Sequence, residues 1–369
     1  MRRYEEKIIE AMEQGAVTES VHGVPVEIKP IPDEPRPGCM DPRDLELIKQ
    51  AAQWFAEHPD EAPLTVEEQR NRMGFPNLNL NTVELYTRYI SCEFEGNTVG
   101  IWVYYPRKPF GKTGRPGFIY LHGGGWMGGS VFAVENPCRL LAERADCVVF
   151  NIDYSLAPEK PFPNGMNDCF HVLEYIYEHA EEFGVDREKL GMGGDSAGGN
   201  LTAVCALRDR DQGTHMLKYQ ALIYPAVLMG DAAVSGYEWR LDEYEMDEEQ
   251  RPYIEPGLCL GRPLPEDQPK PENTVEAYYL QHGESICEPY ISPMCAENHA
   301  GLCKALIAVA EFDGLRIQGE YYGKLLLEAG VDTRIIRYRG VDHAFLDKLG
   351  VLPQAEDLIN QIAKDVRAL

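Results

Sequence analysis

The spacing of hydrophobic residues changes near position 84 and divides the chain into two predicted regions. Before it, apolar residues recur every three or four positions, as they do on one face of a helix. Asp41 followed by Pro42 predicts the start of one helix, and Thr65 with Glu68 has the spacing of a capping box for another. We therefore expect residues 1–80 to be helical and to pack against another part of the chain.

Beyond this point the pattern becomes β-rich and then alternates. The stretches Tyr86–Glu95 and Val99–Tyr105 flank the turn Glu95-Gly96-Asn97, which predicts a hairpin. The apolar stretches that predict strands are Gly117–Leu121, Cys147–Ile152, Leu190–Gly193, Tyr219–Tyr224, Ala305–Ala310 and Arg334–Arg339. The intervening predicted helices are Pro137–Ala145, Asn167–Phe183, Gly198–Arg210, Arg316–Ala329 and Gln354–Ala368. This alternation predicts a mostly parallel sheet with helices on both faces.

One long insertion interrupts the alternation between Tyr224 and Ala305. It is rich in acidic residues and proline, with four prolines from Pro263 to Pro271. A structureless loop of this length is uncommon inside a compact domain. We therefore expect a small additional domain or cap here, with a helix around Val275–His282.

The charge and cysteine content narrow the range of partners. The chain has 60 acidic and 35 basic residues, for a net charge of −25, which disfavours nucleic acid and anionic membranes as partners. The acid excess either steers neutral and cationic ligands or only keeps the protein soluble. No secretory signal or membrane-length apolar run is visible, and the ten cysteines form no Cys-x-x-Cys pair. We expect a cytoplasmic protein with mostly free thiols.

The first candidate for chemistry is the sequence Gly194-Asp195-Ser196-Ala197-Gly198, which lies between a predicted strand and a predicted helix. A sharp turn at this place pushes the serine hydroxyl out of the backbone, and only small residues fit two positions to either side. The helix that follows directs its free N–H groups toward the same point. An ordinary glycine-rich loop has the same short pattern, so these five residues alone do not distinguish such a loop from a turn that presents a nucleophile.

The second candidate, His122-Gly123-Gly124-Gly125-Trp126, follows the predicted strand Gly117–Leu121. Glycines allow backbone amides to point at a negatively charged oxygen that forms during acyl transfer. A phosphate-binding loop is the alternative. The segment has neither the Gly-Lys-Ser/Thr ending of a Walker loop nor the glycine spacing of a dinucleotide site, which favours the oxyanion interpretation.

Two further residues follow predicted strands. Asp313 comes after Ala305–Ala310, and His343 comes after Arg334–Arg339. The carboxyl ends of parallel strands are where ligands bind in open α/β sheets. Each residue alone could be an ordinary solvated side chain. Together with Ser196 they occur in the order serine, acid, histidine, which is the order of one known class of catalytic triad.

These motifs resemble the hormone-sensitive-lipase-type family of α/β-hydrolases, the carboxylesterase and acetyl-esterase group. The matching segments are His122-Gly123-Gly124-Gly125, Asp153-Tyr154-Ser155-Leu156-Ala157-Pro158-Glu159 and Gly194-Asp195-Ser196-Ala197-Gly198-Gly199-Asn200. The resemblance covers roughly residues 85–369. It implies an α/β-hydrolase fold with a mostly parallel eight-stranded sheet, helices on both faces and a helical cap. Ser155 departs from the arginine usual in the family, and Gly314 departs from the common proline.

The resemblance and the two irregular regions together predict a domain organisation. Residues 1–80 would form the N-terminal helical part of the cap, and residues 230–290 would form the cap insertion. Residues 81–229 and 291–369 would form the catalytic domain.

The family's roles transfer to matching positions. Ser196 would be the nucleophile, His343 the general base and acid, and Asp313 the residue that orients and stabilises the histidine. The oxyanion hole would be formed by the backbone amides of Gly124, Gly125 and Ala197.

The leading functional hypothesis is a serine carboxylesterase that hydrolyses short-chain acyl esters through an acyl-enzyme. It needs no metal ion and no cofactor, and its partner is a small-molecule ester. An amidase, deacetylase or peptidase with the same triad is the alternative. A non-catalytic small-molecule receptor is a third possibility, against which the presence of His343 argues.

Some predictions concern the pocket and the surface. Trp126 either walls the substrate pocket or packs in the core. Aromatic residues of the insertion either line an apolar pocket or pack the cap; they are Tyr237, Trp239, Tyr244, Tyr253, Tyr278 and Tyr279. The strand Arg334–Arg339 would be an exposed sheet edge that could pair with a second copy in a homodimer.

Overall fold

The computed structural model describes residues 2–59, 64–94, 96–106, 114–260 and 275–369. Its strands are β1 (Val17–Val21), β2 (Val24–Lys29), β3 (Tyr86–Phe94), β4 (Asn97–Tyr105), β5 (Arg115–Leu121), β6 (Val148–Asp153), β7 (Val185–Asp195), β8 (Tyr219–Ile223), β9 (Lys304–Phe312) and β10 (Thr333–Asp342). Its α-helices are α1 (Lys7–Gln14), α2 (Pro42–Glu57), α3 (Val66–Asn71), α4 (Glu135–Ala145), α5 (Asn164–Glu178), α6 (Ala197–Asp211), α7 (Arg251–Ile254), α8 (Val275–Tyr279), α9 (Arg316–Glu328) and α10 (Pro353–Arg367).

The strands form one sheet in the order β1-β2-β10-β9-β8-β7-β5-β6-β4-β3. The pairings from β2 through β6 are parallel, and antiparallel pairs occur at the two ends of the sheet. The predicted mostly parallel sheet with helices on both faces is confirmed. Strands β3 to β10 supply the eight that the resemblance implies, and β1 and β2 add two more.

The extra strands correct the prediction for the N-terminal segment, by which we mean residues 2–59 and 64–80. β2 runs parallel to β10 and pairs Glu27 with Ile336. The strand Arg334–Arg339 is therefore covered on both sides and is not a free edge, so the suggested homodimer loses its basis. Part of residues 1–80 belongs to the sheet instead of a helical cap. The sequence Val24–Lys29 is short and contains Pro25, which disfavours a strand assignment from pattern alone.

Two apolar layers enclose the sheet. One layer packs α1, α4 and α10 against one face, with side chains such as Leu141 and Leu358 completely buried. The other packs α5, α6 and α9 against the opposite face, with Leu173 and Leu326 equally buried. Strands buried on both faces read as continuous apolar runs, which is why the sequence pattern identified them.

Most predicted elements are confirmed with small differences at their ends. The helix predicted over Asn167–Phe183 is α5 followed by a short 3₁₀ helix, Ala180–Phe183. The predicted hairpin is the antiparallel pair β3–β4, although Glu95 at its turn lies outside the described residues. The capping box of α3 is present, with Thr65 and Glu68 each accepting a hydrogen bond from the other's backbone amide.

The described part of the insertion contains short helical elements that pack against α2. Tyr244 and Leu258 of the insertion share a buried cluster with Met40 and with Phe312 at the end of β9. The helix predicted over Val275–His282 corresponds to α8, which is shorter than predicted and ends at Tyr279. The prolines from Pro263 to Pro271 lie outside the described residues. The insertion thus packs at the carboxyl end of β9. The predicted domain boundaries stay a prediction.

Within the described ranges, no helix is both long and apolar enough to cross a membrane. The nine cysteines whose state is described there are free thiols.

Candidate active site

Ser196 lies at the sharp turn between β7 and α6. Its backbone has φ +54° and ψ −114°, a conformation that is strained for a residue with a Cβ. Its amide donates a hydrogen bond to the carbonyl oxygen of Ile223 at 2.9 Å, which fixes the turn against β8. The strain is held by the surrounding sheet, and the serine hydroxyl projects at the sheet's carboxyl edge.

The glycines around this serine are required by space. A Cβ on Gly194 would lie 2.3 Å from the carbonyl oxygen of Leu121, and a Cβ on Gly198 would lie 2.0 Å from the same atom. Any side chain at either position would therefore force β5 away from the turn. The glycine pattern seen in the sequence reflects this close approach of three backbone segments.

The three residues predicted to act together are brought together. The Oγ atom of Ser196 lies 2.9 Å from Nε2 of His343, and Nδ1 of His343 lies 2.7 Å from Oδ2 of Asp313. Asp313 is fully buried, and its other carboxylate oxygen accepts a hydrogen bond from the amide of Leu315 at 2.9 Å. The carboxylate is thus fixed by the chain itself and faces one ring nitrogen of the histidine.

The electrostatics of the site favour a basic histidine. Burial alone lowers the pKa of His343, but the charge and hydrogen bond of Asp313 oppose this effect. The negative charges of Asp342 and Asp195 act in the same direction as Asp313. The net result is a pKa of His343 above the ordinary value, which strengthens it as an acceptor of the serine proton.

Residues 122–129, which we call the glycine loop, lie beside Ser196. Gly124 and Gly125 have φ of +120° and +60°, which a residue with a side chain rarely adopts. The carbonyl oxygen of Gly124 accepts hydrogen bonds from the amides of Met127 and Gly128, at 3.2 and 2.8 Å. This tight turn fixes the orientation of the peptide groups that carry the predicted oxyanion donors. The third predicted donor, Ala197, is the first residue of α6, where an amide has no partner within the helix.

Asp195 connects the glycine loop to the serine turn, a role that the sequence analysis did not predict. Its Oδ1 accepts hydrogen bonds from the Gly123 amide and the Tyr120 hydroxyl, both at 3.0 Å. Burial raises the pKa of Asp195 to about 6. The sequence contained one signal for this role, because Asp195 stands directly before the nucleophile, but its partners follow only from the fold.

His122 is a structural histidine of the glycine loop. It is buried and stacks on Tyr154, with ring centroids 4.4 Å apart. Burial lowers the pKa of His122 to about 4, so it is neutral at physiological pH. Its Nδ1 lies 2.8 Å from the carbonyl oxygen of Gly123, which allows the neutral ring to donate to the loop.

Trp126 satisfies both interpretations considered for it. Its side chain is buried and stacks on Tyr279, with ring centroids 4.8 Å apart, and its indole N–H donates to Oδ1 of Asn200 at 3.3 Å. It also lines the cavity that contains Ser196. It is therefore a packed residue that forms part of the pocket wall.

The cavity at the site has a volume of about 320 Å³ and a mostly apolar wall. The side chains of Leu228, Met229 and Leu315 lie along it, and the N-terminal segment contributes Met73. None of the six aromatic residues of the insertion named from the sequence lines this cavity. Trp239 and Tyr244 pack instead in the buried cluster that contains Met40 and Phe312. Beside Trp126 and the glycine loop, the pocket is thus lined by aliphatic side chains and methionines that the sequence pattern did not identify.

The loop that carries His343 is held by α2, and the loop that carries Asp313 is held by the insertion. Nζ of Lys348 contacts Oδ1 of Asp44 at 2.5 Å and Oδ1 of Asp342 at 2.6 Å. Burial raises the pKa of Asp44 to about 7 despite the lysine. From the insertion, the hydroxyl of Tyr244 donates to the carbonyl oxygen of Asp313 at 2.9 Å. No sequence motif marks these contacts, which depend on how the helices pack.

In the ranges that the structure describes, no group of three or more His, Cys, Asp or Glu side chains is arranged to hold a metal ion.

Comparison with known proteins places this geometry in context. Residues 118–347 match the family model described as alpha/beta hydrolase fold. The chain is 32% identical over 280 residues to an arylesterase of Saccharolobus solfataricus, covering 76% of this chain and 83% of that protein. It is 31% identical over 301 residues to the esterase LipI of Mycobacterium tuberculosis, covering 80% of this chain and 86% of that protein.

A solved structure is similar over nearly its whole length. A hyperthermophilic esterase from the archaeon Pyrobaculum calidifontis gives a TM-score of 0.71 at 29% sequence identity, covering 89% of this chain and 98% of that one. The similarity therefore extends over most of both chains and is not limited to the serine motif.

Proposed function

The chain belongs to the hormone-sensitive-lipase-type family of α/β hydrolases, and we propose that it is a serine carboxylesterase that acts on short-chain acyl esters. The observation that carries the proposal is the chain of contacts from Ser196 through His343 to Asp313, at 2.9 and 2.7 Å. The named relatives, an arylesterase and an esterase, support the same class of reaction.

The geometry suggests how each group acts. The hydroxyl of Ser196 attacks the ester carbonyl carbon while Nε2 of His343 takes the hydroxyl proton. The protonated histidine, stabilised by Asp313, then gives this proton to the leaving alcohol. A water molecule attacks the acyl-enzyme in the same way, the carboxylic acid is released, and Ser196 regains its proton.

The negative oxygen of each tetrahedral intermediate needs fixed hydrogen-bond donors. We assign this role to the amides of Gly124, Gly125 and Ala197. The positive φ angles of the glycines and the first-turn position of Ala197 support it. Each such donor contributes on the order of 10²–10³ to the rate in comparable enzymes.

The size and lining of the cavity support the proposed substrate class. A volume of about 320 Å³ lies at the small end of ligand sites. Its apolar wall suits a short aliphatic acyl group or a compact alcohol. We therefore expect a small-molecule ester as substrate, with butyrate esters hydrolysed faster than long-chain esters.

The direct test is Ser196→Ala measured with p-nitrophenyl butyrate. We expect the turnover number to fall by about 10⁶, as when the nucleophile of a comparable triad is removed. A matched substitution is Ser235→Ala in the insertion, which should leave turnover unchanged. Retained activity in Ser196→Ala would contradict the proposal, and faster turnover of long-chain than of butyrate esters would contradict the substrate class.

The alternative activity, amide hydrolysis by an amidase or deacetylase, uses the same three side chains and differs in the pocket. Turnover of an ester and of the matched nitroanilide distinguishes the two. A receptor without catalysis is distinguished by absence of turnover on either substrate. The cytoplasmic location and the lack of nucleic-acid and membrane partners stay predictions.

A further inference from the structure

We propose that Arg70 positions the glycine loop from the N-terminal segment, by holding a carbonyl group of that loop with its guanidinium. Arg70 lies in α3, the helix whose capping box the sequence predicted, but it belongs to none of the catalytic motifs identified there. The inference rests on the proposed function, because it concerns the residues assigned there to the oxyanion hole.

The guanidinium of Arg70 bridges two segments of backbone next to the site. Its Nε donates to the carbonyl oxygen of Met127 at 2.5 Å, and its Nη2 donates to the carbonyl oxygen of Ala157 at 2.9 Å. The Ala157 amide in turn donates to the carbonyl oxygen of Trp126 at 2.9 Å. The glycine loop is thus fastened to the segment around residue 157 both directly and through Arg70.

An ion pair fixes the orientation of the guanidinium. Nη1 and Nη2 of Arg70 contact the two carboxylate oxygens of Glu159 at 2.9 and 2.6 Å. A bidentate pair of this kind sets both the position and the plane of the guanidinium. Since Glu159 is 61% exposed, we expect the pair to act mainly as a guide for the arginine and to add little stability.

The contact between α3 and the glycine loop leaves no space. A Cβ on Gly128 would lie 2.4 Å from the Sδ atom of Met73 and 3.3 Å from Cγ of Arg70. Gly128 also closes the turn by donating its amide to Gly124. The end of α3 therefore lies directly on the turn that orients the predicted oxyanion donors.

A loop of this composition needs an anchor outside itself. Glycine has more backbone freedom than any other residue, and this loop has five glycines among residues 122–129. Donors of an oxyanion hole act only when they are fixed before the charge develops. Arg70 supplies one hydrogen bond from a separate helix to the loop and a second to the segment that the loop is bonded to, and in this way it restricts the freedom of the glycines.

The segment that Arg70 bonds also differs in sequence from the pattern usual in the family. Ser155 stands where the family usually has arginine, and its hydroxyl accepts a hydrogen bond from the Asn97 side chain at 3.1 Å. A guanidinium nevertheless reaches the carbonyl of Ala157, two residues further on, from α3. The N-terminal segment thus contributes the guanidinium that bonds this carbonyl group.

The test compares Arg70→Met with three other variants. Arg70→Lys keeps the charge and loses the fork of donors, and Glu159→Gln weakens the ion pair while Arg70 keeps both carbonyl contacts. Arg240→Met is the matched control, because it removes one arginine from an exposed pair with Asp242. Each enzyme is first titrated with a p-nitrophenyl phosphonate, so that rates refer to reactive serine only.

We expect kcat of Arg70→Met on p-nitrophenyl butyrate to fall between about 10-fold and 10²-fold, with KM changed less than about twofold. Binding of a trifluoromethyl ketone, whose adduct carries the oxyanion, should weaken by a similar factor. Binding of the corresponding uncharged amide should not change. Arg70→Lys should show most of the loss, Glu159→Gln little of it, and Arg240→Met none.

Several results would overturn the inference. They are an unchanged kcat per titrated serine, a rise in KM at constant kcat, or equal weakening of the ketone and the amide. A Glu159→Gln variant as impaired as Arg70→Met would assign the effect to the ion pair instead of the loop contact. Failure of the phosphonate to label the unmodified enzyme would instead contradict the proposed function, independently of Arg70.

Discussion

The carboxyl edge of the sheet and the N-terminal segment both contribute to the site, but they do so in different ways. The edge presents Ser196, Asp313 and His343, each directly after a parallel strand. The N-terminal segment presents no catalytic group; it contacts the loop that carries His343 through Asp44, and the glycine loop through Arg70. One region supplies the proposed chemistry and the other holds it in place.

The difference lies in what determines each contact. Parallel strands in one sheet place their carboxyl ends at one edge, so the meeting of Ser196 with His343 follows from topology. The meeting of Asp44 with Lys348 depends on how α2 packs against the loop after β10, which no local pattern specifies. We therefore expect changes at the edge to affect rate far more than stability. Changes at the N-terminal contacts should affect both, with a smaller effect on rate.

After removal of the serine hydroxyl itself, the largest loss of rate at the carboxyl edge is expected for Asp313→Asn. The turnover number should fall by about 10⁴, as when the aspartate of a comparable triad becomes asparagine. Loss of the Asp313 charge also lowers the pKa of His343. Since the histidine must be neutral to accept a proton, the acid limb of kcat/KM should move to lower pH.

The control for this change is Asp242→Asn, which alters an exposed carboxylate of the insertion. A pH–rate profile and a urea unfolding curve for both variants are the measurements. An acid limb that moves to higher pH in Asp313→Asn would contradict the assigned electrostatics.

The next largest effect is expected for Gly124→Ala in the glycine loop. A Cβ there would lie 2.3 Å from the carbonyl oxygen of Gly128, and φ is +120°. The loop must shift, so we expect a loss of about 10²–10³ in kcat. Gly213→Ala is the matched control, because Gly213 also has a positive φ but has open space around it. Equal losses of rate in both variants would contradict a steric effect on the loop.

A smaller effect on rate and a larger one on stability are expected for Lys348→Met. This change leaves Asp44 and Asp342 facing each other without the lysine, and Asp44 is fully buried. The free energy of unfolding should fall by about 3 kcal/mol, and kcat should fall about tenfold as the His343 loop shifts. Urea unfolding and steady-state kinetics check both values.

Lys7→Met is the control, because Lys7 is exposed and its pair with Glu5 should contribute less than about 1 kcal/mol to the free energy of unfolding. If Lys348→Met fails to fold, Asp44→Asn tests the same contact. Burial raises the pKa of Asp44 to about 7, so a neutral amide there should be tolerated better. Full stability and full rate in both variants would show that this contact does not hold the loop.

The smallest effect is expected for Tyr244→Phe in the insertion. It removes the hydrogen bond from the tyrosine hydroxyl to the carbonyl oxygen of Asp313 and leaves the ring in place. We expect stability to fall by about 1 kcal/mol and kcat to change by about twofold. Tyr86→Phe at an exposed position is the control. A loss of more than tenfold in kcat would show that the insertion contributes to the chemistry and does more than support the chain at Asp313.

The sequence predicted the edge well, for physical reasons that the structure makes clear. Gly194 and Gly198 are glycines because Leu121 approaches them closely, so the motif records a tertiary contact in local form. Asp313 and His343 were found because apolar strands precede them. Their distances from each other could not be predicted, but their position at one edge could.

The contacts from the N-terminal segment could not be predicted in the same way. β1 and β2 were missed because both are short, β1 is almost wholly exposed and β2 contains Pro25, and so the strand β10 was taken for a free edge. The contact of Arg70 with Met127 joins a side chain to a backbone carbonyl, and a carbonyl leaves no trace in the residue types. Contacts of this kind follow from packing alone.

The proposed function requires that Ser196 is acylated during turnover. This is measured by rapid acid quenching of the enzyme during hydrolysis of p-nitrophenyl butyrate, followed by mass spectrometry of its peptides. We expect one butyryl group per chain, on the peptide that contains Ser196, and none in Ser196→Ala. A butyryl group on another residue, or full turnover with no acylated peptide at any quench time, would contradict the proposed function.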